Sequence, residues 1–423
     1  MKEYNKYVFL KNKFKVKYKG NKLNDLLAVY FISDSYNHML IPKLSTKEIF
    51  KSFFYIESYK NLNQVLLHKG IILSQSKWNR KDYRELVELM GENMKDSLIF
   101  DYKYKRAISI RVDIMLMSFV QVFFQLKKSF SFRQLLFLAS KVSEIKQKII
   151  ELNGYSKKIK GFIAFNSAVY DDAILSSVFN NEKIKTFSLQ HGYYSIYKIN
   201  IPLDIINYEN LVAKQLLCWG QDTYNNMLSF GLKKDRLFIL GNPKMNYSKN
   251  IDIARPKFNK CLVLLGRDIY HDSNIHLINM LTTISKTSNE EFVLKLHPTL
   301  RVKKLENAYI GKFEIFDENK TVHEIFKSYN FDLAISNNTS AYFDALINGI
   351  LCFRFTKYEN EDFGKSILSF SELENYYNLK KIINNKKTIE IKEIVMKILS
   401  NNFSNNFSKN INDLNNLILE RSC

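Results

Sequence analysis

The chain has 423 residues, of which 46% are hydrophobic, and its formal net charge is +21. This length exceeds what usually folds around one hydrophobic core and suits two domains of about 200 residues each. The four cysteines form no CxxC pair, which excludes a disulfide framework and a zinc site and fits a reducing cytoplasm. The first residues lack the basic-then-apolar order of a signal peptide, so we expect the protein not to be exported.

The first 150 residues predict a strand-rich start followed by a helical block. Residues 1–50 read as strands with turns, and the alternation of lysines with apolar residues at 11–19 predicts a strand with one basic face. From 46 to about 152, apolar residues recur at helical spacing. The apolar run at 114–124 is shorter than the ~20 residues that a membrane span requires, so we expect a buried helix there.

The excess of positive charge predicts an anionic partner, which could be nucleic acid, an anionic membrane face or an acidic substrate. No RNP sequence, zinc finger or helix-turn-helix signature accompanies the charge, so we expect no nucleic acid partner. The lysines at 11–19 fit two interpretations, a protected edge strand or a patch that contacts a membrane or polyanion. The sequence leaves both open.

Short apolar strands separated by helical or loop segments dominate the rest of the chain, as in a parallel sheet. The predicted strands are 161–165, 185–189, 215–218 and 236–240, followed after a polar linker at 246–260 by 261–265, 292–296, 331–335 and 350–355. We therefore predict an α/β protein with two Rossmann-like domains that face each other across a cleft. The predicted parts are an N-terminal domain over 1–250 with a helical insertion at about 46–152, a C-terminal domain over 257–387, and a helix over 388–423 that packs back on the N-terminal domain.

Two segments of the second domain place phosphate-binding groups where a strand ends. KLHP at 295–298 presents His297 and Pro298, and SNNTSAYFD at 336–344 presents Asn338, Thr339 and Ser340 at the start of a helix. Hydroxyls and free N–H groups at such an edge bind nucleotide phosphates, and a histidine there can stabilise a departing nucleotide. The alternatives are a histidine bonded to a loop carbonyl and simple N-capping. Taken together, the two segments predict a phosphate site.

Two further segments border the predicted cleft. Gly266 and Arg267 follow the first strand of the second domain, where glycine would admit a ligand and arginine could bridge a phosphate. Asn242 and Lys244 follow the last strand of the first domain. They form either a turn at the hinge or, through Lys244, part of the cleft.

Candidate general bases come from the first domain. Gly192 is predicted to turn the chain so that His191 faces the cleft, where a neutral imidazole could take a proton from an acceptor hydroxyl. The alternative is that His191 only ties down the turn. Asp171 and Asp172 are rival bases, although acidic residues are common in the first turn of any helix.

The motifs, in their order, resemble those of the GT-B-fold transferases that build bacterial surface polysaccharides. They are LQHG at 189–192, CWG at 218–220, LGNPKMN at 240–246, LLGRD at 264–268, KLHP at 295–298 and SNNTSAYFDALINGILCFRF at 336–355. That group includes capsule and lipopolysaccharide sialyltransferases and Kdo transferases, which use CMP-sugars, and the CDP-glycerol glycerophosphotransferases. The resemblance spans about 161–356.

The resemblance implies a metal-independent glycosyltransferase without a cofactor. The donor, a CMP-linked sialic acid or Kdo-like sugar, would bind the C-terminal domain, where His297, Thr339 and Ser340 contact its phosphate. The acceptor would be a surface polysaccharide or a lipid-linked glycan. We expect a cytoplasmic protein, with the anionic inner face of the plasma membrane as a further candidate partner.

The expected reaction is a direct displacement. His191, or one of the two aspartates, would activate the acceptor hydroxyl, while His297, Ser340 and Arg267 stabilise the leaving phosphate. The alternatives are a CDP-glycerol or CDP-ribitol phosphotransferase and a non-catalytic polyanion-binding protein. A nucleotide-sugar epimerase would need acidic residues around the sugar ring that the sequence does not place.

Overall fold

The structure is a computed structural model, and two six-stranded parallel sheets dominate it. It describes residues 2–36, 46–62, 67–78, 80–108, 111–153, 159–245, 251–297, 300, 313–316, 320–364 and 366–419. Pro298, one of the predicted donor-site residues, lies outside the described residues.

The first sheet has the spatial order β10-β9-β8-β7-β4-β5. Its strands are β4 (Ile71–Ser74), β5 (Ser97–Phe100), β7 (Gly161–Ala164), β8 (Lys185–Leu189), β9 (Gln215–Cys218) and β10 (Leu237–Ile239). Every residue of β4 and β7 is buried, as expected for parallel strands covered on both faces by helices. The two pair in register, with Ile71 opposite Gly161.

The second sheet has the order β13-β12-β11-β14-β15-β16. Its strands are β11 (Lys260–Leu264), β12 (Glu291–Lys295), β13 (Glu314–Phe316), β14 (Leu333–Asn337), β15 (Cys352–Phe355) and β16 (Ser369–Phe370). The first strand of this sheet lies at its centre, and the chain adds strands to one side and then to the other, as in a Rossmann fold. The predicted two-domain α/β architecture is confirmed.

Helices cover both sheets. Those of the first half are α1 (Lys2–Lys13), α2 (Leu23–Leu26), α3 (Ala28–Ser35), α4 (Thr46–Lys51), α5 (Lys81–Asn93), α6 (Val112–Leu126), α7 (Phe132–Leu152), α8 (Tyr170–Asn181), α9 (Ile206–Glu209) and α10 (Gln221–Phe230). Those of the second half are α11 (His271–Thr287), α12 (Val322–Ser328), α13 (Ala341–Ile347), α14 (Leu373–Asn384), α15 (Thr388–Asn402) and α16 (Phe407–Leu419). Two small antiparallel pairs complete the described elements, β1 (Lys17–Tyr18) with β2 (Asn21–Lys22) and β3 (Tyr55–Tyr59) with β6 (Tyr104–Ile108).

The prediction of strands in the first 50 residues is wrong, because much of this segment is helical. Tyr7, Leu10 and Phe14 are all buried, and their spacing of three and four residues is that of one helix face. The lysine alternation at 11–19 therefore begins inside α1 and does not form one strand. The block 46–152 is also less uniformly helical than predicted, since it supplies β4 and β5 to the first sheet.

Helix α16 returns to the first sheet after the chain has completed the second. Its buried residues Phe407, Ile411, Leu414 and Ile418 share a hydrophobic cluster with strand residues of that sheet. The approach is close, because a Cβ added at Gly161 would lie 2.5 Å from Cγ2 of Ile418. Helix α15 instead contributes its buried residues to the core of the second sheet. Throughout the described ranges, no helix is both long enough and apolar enough to cross a bilayer.

Candidate functional site

The strand orders locate a crevice at the carboxyl edge of each sheet. In the second sheet the order reverses between β11 and β14, and in the first sheet between β4 and β7. Loops that leave neighbouring strands at such a point diverge to opposite faces, and ligands of open α/β sheets bind in the space between them. Ion pairs that join the two domains at these edges, including Lys81 with Glu324 at 3.4 Å, show that the crevices face each other.

His297 lies two residues beyond β12, at the edge of the second sheet. Burial, and after it the positive charges of Arg267, Arg80 and Lys295, lower the pKa of its imidazole to about 4. Arg80 belongs to the first domain, so the charges around this histidine come from both sides of the cleft. Three cations against one carboxylate, Asp204, make the surroundings of this neutral imidazole favourable for an anionic group.

The two predicted phosphate segments flank one loop of the second sheet. Lys295 of β12 and Ser336 of β14 both pair with Leu264 of the intervening strand β11. Two strand spacings of about 4.8 Å each therefore separate the backbone at His297 from that near Thr339. The hydroxyl of Thr339 accepts a hydrogen bond from the backbone N–H of Ala341 at 3.3 Å. The structure thus brings the segments to the same edge, with Gly266 between them.

Gly266 and Asn338 support these loops. A Cβ at Gly266 would lie 2.6 Å from the carbonyl oxygen of Asn337, so packing requires glycine there without any ligand. Asn338 has a left-handed φ of 44°, and its side-chain oxygen accepts a hydrogen bond from the backbone N–H of Asn360 at 2.8 Å. Both residues therefore support the loops of the site through contacts within the protein. Ser340, in contrast, is exposed at the surface.

Arg267 already has two carboxylate partners. Its guanidinium donates to Glu361 at 2.7 Å and contacts Asp204, which belongs to the first domain. These carboxylates raise the pKa of Arg267 against the effect of burial, so the group stays charged. A phosphate would have to compete with Asp204 for this arginine. In the described arrangement, Arg267 connects the two domains.

His191 is enclosed by aromatic rings at the edge of the first sheet. Its ring lies 4.6 Å from that of Phe165 and 5.7 Å from that of Tyr83, measured between centroids. The Tyr194 hydroxyl lies 3.0 Å from Nδ1, and burial lowers the pKa of the imidazole to about 4. This histidine is neutral at pH 7, but its environment favours a hydrogen-bonding role over that of a strong general base.

Gly192 has no conformational reason to be glycine. Its φ is not left-handed, and a Cβ added there would meet no atom within 4 Å. The predicted sharp turn at this position is therefore not what requires glycine. The open space beside its Cα lies next to His191, where a substrate could approach the backbone.

The segment after Gly192 continues into the other domain. Tyr193 packs against Phe343 and Phe363, and the backbone N–H of Lys198 donates to the carbonyl of Asn360 at 2.9 Å. Lys198 also pairs with Glu359 at 3.0 Å. The loop that carries His191 is thus physically joined to the loop that follows β15.

Asp171 anchors a buried ionic network. Each of its two carboxylate oxygens accepts from two donors, which are Tyr59 and Lys148 at 2.7 and 2.8 Å on one oxygen and Tyr104 and Lys77 at 2.7 and 3.4 Å on the other. The lysines hold the pKa of this carboxyl far below its ordinary value despite burial. Four donors leave no oxygen free for an acceptor hydroxyl, which argues against the predicted role of Asp171 as a base.

Asp172 has the opposite electrostatic environment. Burial raises the pKa of its carboxyl to about 6, although it accepts hydrogen bonds from Tyr102 and from the backbone N–H of Asn166 at 2.8 Å. Its pKa suits proton transfer near neutral pH. However, the side chain is buried and bonded to the backbone of the loop that follows β7.

Lys244 lies at the start of the connection between the domains. Its ammonium pairs with Glu85 at 2.7 Å, and its backbone N–H donates to the side chain of Asn242 at 3.0 Å. Its charge also acts on Asp344 in α13, whose side chain is accessible to water but closely surrounded by protein. This desolvation raises the pKa of Asp344 to about 6. Lys244 therefore pairs with α5 of the first domain and acts electrostatically on α13 of the second, and its place in the cleft stays a prediction.

Three residues at the start of α5 and just before it were missed by the sequence analysis. The guanidinium of Arg80 lies 4.0 Å from the ring centroid of Tyr83, and the exposed ring of Trp78 packs edge-on against Phe165. The charges of Arg80 and Asp204 act on both His191 and His297. The available signal was the apolar run 71–74 followed by polar residues, which indicates a strand end at the cleft.

Comparison with known proteins identifies the fold. No family model matches the sequence, and no curated protein matches it either. A Listeria monocytogenes protein provisionally described as a UDP-N-acetylglucosamine 2-epimerase has a TM-score of 0.50 and 10% identity, over 81% of this chain and 94% of that one. The S. aureus MnaA–UDP structure gives 0.49 and 9% over 82% and 96%, and the apo lipopolysaccharide outer core galactosyltransferase WaaB gives 0.47 and 12% over 81% and 98%. The fold is GT-B, as predicted.

Proposed function

We propose that this protein is a glycosyltransferase that moves a sugar from a nucleotide-activated donor to a glycan acceptor. The observation that carries the proposal is the position of His297 at the carboxyl edge of the second sheet, where the charges of Arg267, Lys295 and, across the cleft, Arg80 act on it together with one carboxylate, Asp204. Anionic phosphates bind at this edge of a Rossmann-like sheet. The donor nucleotide would therefore occupy the C-terminal side of the cleft.

The leaving group would be stabilised by charge. As the bond to the sugar breaks, negative charge grows on the nucleotide phosphate, and fixed cations stabilise it most where water is excluded. Arg80 and His297 would act from opposite sides of the cleft, with Ser340 donating from its exposed hydroxyl. Arg267 would join them after exchanging Asp204 for the phosphate. These cations supply positive charge, so we propose transfer without a metal ion.

The acceptor hydroxyl must lose a proton. His191 stays the predicted base, and the open space at Gly192 supports an acceptor position beside it. Asp344 is a second candidate, because its pKa of about 6 is nearer to neutrality and water reaches its side chain. A base with a pKa near the working pH is the more effective one. Comparison of His191→Gln with Asp344→Asn distinguishes the two candidates.

For the donor, the sequence motifs favour a CMP-linked sialic acid or Kdo-like sugar, with CDP-glycerol or CDP-ribitol as the alternative. A UDP-sugar is included in the test because the S. aureus MnaA structure contains UDP. For the acceptor, the charge of +21 supports a lipid-linked or anionic glycan at the inner membrane surface.

The first experiment is nucleotide binding measured by thermal shift with CMP, CDP, UMP and UDP. A ligand that binds only the folded state raises the melting temperature in proportion to its affinity. We expect one pyrimidine nucleotide to stabilise the protein, and His297→Asn to abolish that shift without lowering the melting temperature of the free protein. His323→Gln is the matched control, because His323 is an exposed histidine of the same domain.

The second experiment is turnover with the corresponding sugar donors, with EDTA and with added Mg²⁺. Transfer of a sugar confirms the proposal, transfer of an alditol phosphate indicates the phosphotransferase, and interconversion of free nucleotide sugars indicates an epimerase. A polyanion-binding protein would show no nucleotide response and a steeply salt-dependent affinity for polyanions. That last result, together with an unaffected His297→Asn variant, would refute the enzyme.

A further inference from the structure

Helix α6 presents a row of large apolar side chains to solvent. Leu116, Met117, Val120 and Phe124 follow the three- and four-residue spacing of one helix face, and we call these four residues the α6 outer face. Leu116 is 62% exposed, Val120 48% and Phe124 68%. Phe132, the first residue of α7, is 60% exposed and packs edge-on against Phe119 of α6 at 6.4 Å. A continuous apolar surface of this kind marks a binding site.

The opposite face of α6 shows that this exposure is not ordinary amphipathicity. Its buried residues are Ile114, Ser118, Val122 and Leu126, so the core already has its apolar contacts, and the polar groups at and beside this face are satisfied within the protein. Ser118 donates to the carbonyl of Ile114 at 2.6 Å, Gln121 accepts from Lys146 at 2.7 Å, and Gln125 accepts from the backbone N–H of Lys15 at 2.9 Å. The helix is therefore apolar on its exposed face as well as on its buried one, whereas a helix that is apolar all round is normally covered on every side.

Cations are frequent in the sequence of α6 and the segments beside it. Residues 105–133 contain six of them, Lys105, Arg106, Arg111, Lys127, Lys128 and Arg133, and one carboxylate, Asp113, which pairs with Arg111 at 2.8 Å. Lys127 lies 5.8 and 5.6 Å from the ring centroids of Phe123 and Phe124. The ammonium of Lys13 lies 5.3 Å from the ring centroid of Phe9, an exposed residue of α1. The same ammonium donates to the hydroxyl of Ser129, just beyond the end of α6, at 2.9 Å.

We propose that the α6 outer face, together with Phe132, inserts into the interface of an anionic lipid membrane. Apolar side chains bordered by lysine and arginine match the acyl boundary and the phosphate headgroups of such a surface. A second copy of the chain is a poorer occupant, because each copy would bring the same cations and a net charge of +21 to the contact. This inference rests on the proposed function and names the surface through which the proposed enzyme would contact the membrane.

The test uses the full chain and vesicles of defined composition. The protein is sedimented with phosphatidylglycerol–phosphatidylethanolamine vesicles and with neutral phosphatidylcholine vesicles. We expect binding to the anionic vesicles that weakens with added salt, and little binding to the neutral ones. Leu116→Gln with Phe124→Gln should reduce anionic partitioning about tenfold or more, because two large apolar side chains no longer enter the interface.

The matched control is Ile382→Gln with Ile389→Gln, two exposed isoleucines on α14 and α15. It should bind vesicles like the wild type. A separate Phe124→Trp variant keeps the face apolar, and brominated lipids should quench its fluorescence, whereas Ile389→Trp should not be quenched. Unchanged partitioning of the α6 variant overturns the proposal, as does a wild-type dimer that the same variant converts to a monomer.

Nucleotide binding separates this proposal from the enzymatic one. The α6 variant should keep the full thermal shift with nucleotide, since its substitutions lie outside the cleft. Vesicle binding without any nucleotide response would overturn the proposed transferase and leave the membrane surface standing. A nucleotide response without vesicle binding would overturn the proposed membrane surface and leave the proposed transferase standing.

Discussion

Two histidines with similar pKa values lie in different surroundings at the two sheet edges. The pKa of both is lowered to about 4, mainly by burial, but His191 is enclosed by aromatic rings, whereas the charges of Arg267 and Lys295 act on His297 in addition to that of Arg80. The first environment holds a neutral imidazole in one position. The second favours the arrival of a negatively charged ligand, because that ligand would compensate the cations.

The pH dependence of stability follows from these shifts. An unfolded histidine has a pKa of about 6.5, so between pH 6.5 and 4 the unfolded state binds more protons, and stability falls as the pH drops. Asp344, raised to about 6, has the opposite effect, because its folded form binds protons more readily than its unfolded form. We expect His297→Gln to flatten the loss of melting temperature between pH 6.5 and 4.5, and Asp344→Asn to steepen it. Identical slopes in all three proteins would contradict both assignments.

Two glycines at the sheet edges make a paired prediction. Gly192→Ala should leave the melting temperature nearly unchanged, because its Cβ would meet no atom within 4 Å, but it should reduce transfer to the acceptor. Gly266→Ala should destabilise by about 1–3 kcal/mol, because its Cβ would clash with the Asn337 carbonyl. Thermal melts with activity per folded molecule measure both. A large loss of stability in Gly192→Ala would show that its role is structural.

At the scale of elements, the central parallel strands were predictable because both of their faces are buried, which gives continuous apolar runs such as 161–165 and 261–265. Strands β4 and β5 were missed because they lie within a block in which apolar residues recur mainly at helical spacing. Helix α1 was missed because lysines at alternate positions imitate a strand. The same holds for the site residues. His297 and Ser340 were predicted because they follow predicted strands, whereas Arg80 was missed because it follows a missed one.

The ionic network at the start of α8 predicts that Asp171 is needed for stability and not for catalysis. Asp171 and Lys148 form a buried pair that joins α8 to α7. Asp171→Asn leaves the lysine with weaker partners and should cost about 3–5 kcal/mol, while the molecules that remain folded keep their activity. Asp113→Asn, at an exposed pair, should hardly change the melting temperature. A normal melting temperature with lost activity would instead support Asp171 as the base.

At the scale of the whole molecule, the domains are held together by contacts that border the cleft itself. Arg267 contacts Asp204 across the gap, and residues 197 and 361 form an antiparallel bridge between the loops of the two domains. Because these contacts use residues proposed for donor binding, domain position and donor binding are expected to be coupled.

The Arg267–Asp204 contact predicts the direction of this coupling: the contact between the domains should weaken nucleotide binding. Asp204→Asn removes a carboxylate that both competes for Arg267 and repels phosphate, so we expect nucleotide to bind a few-fold more tightly. Arg267→Ala should weaken binding. Isothermal titration calorimetry with the nucleotide identified by thermal shift measures both. Weaker binding by Asp204→Asn would mean that Asp204 positions the donor and does not compete with it.

Helix α16 completes the first sheet with residues 407–419, which the ribosome makes after the whole second sheet. Until then, the nascent first half exposes an apolar surface that includes Leu73 and Ile163. A truncated product ending near residue 250 would carry this uncovered surface permanently and should be recovered mainly as aggregates. Supplying the 407–419 segment in trans would then be the direct way to restore its solubility.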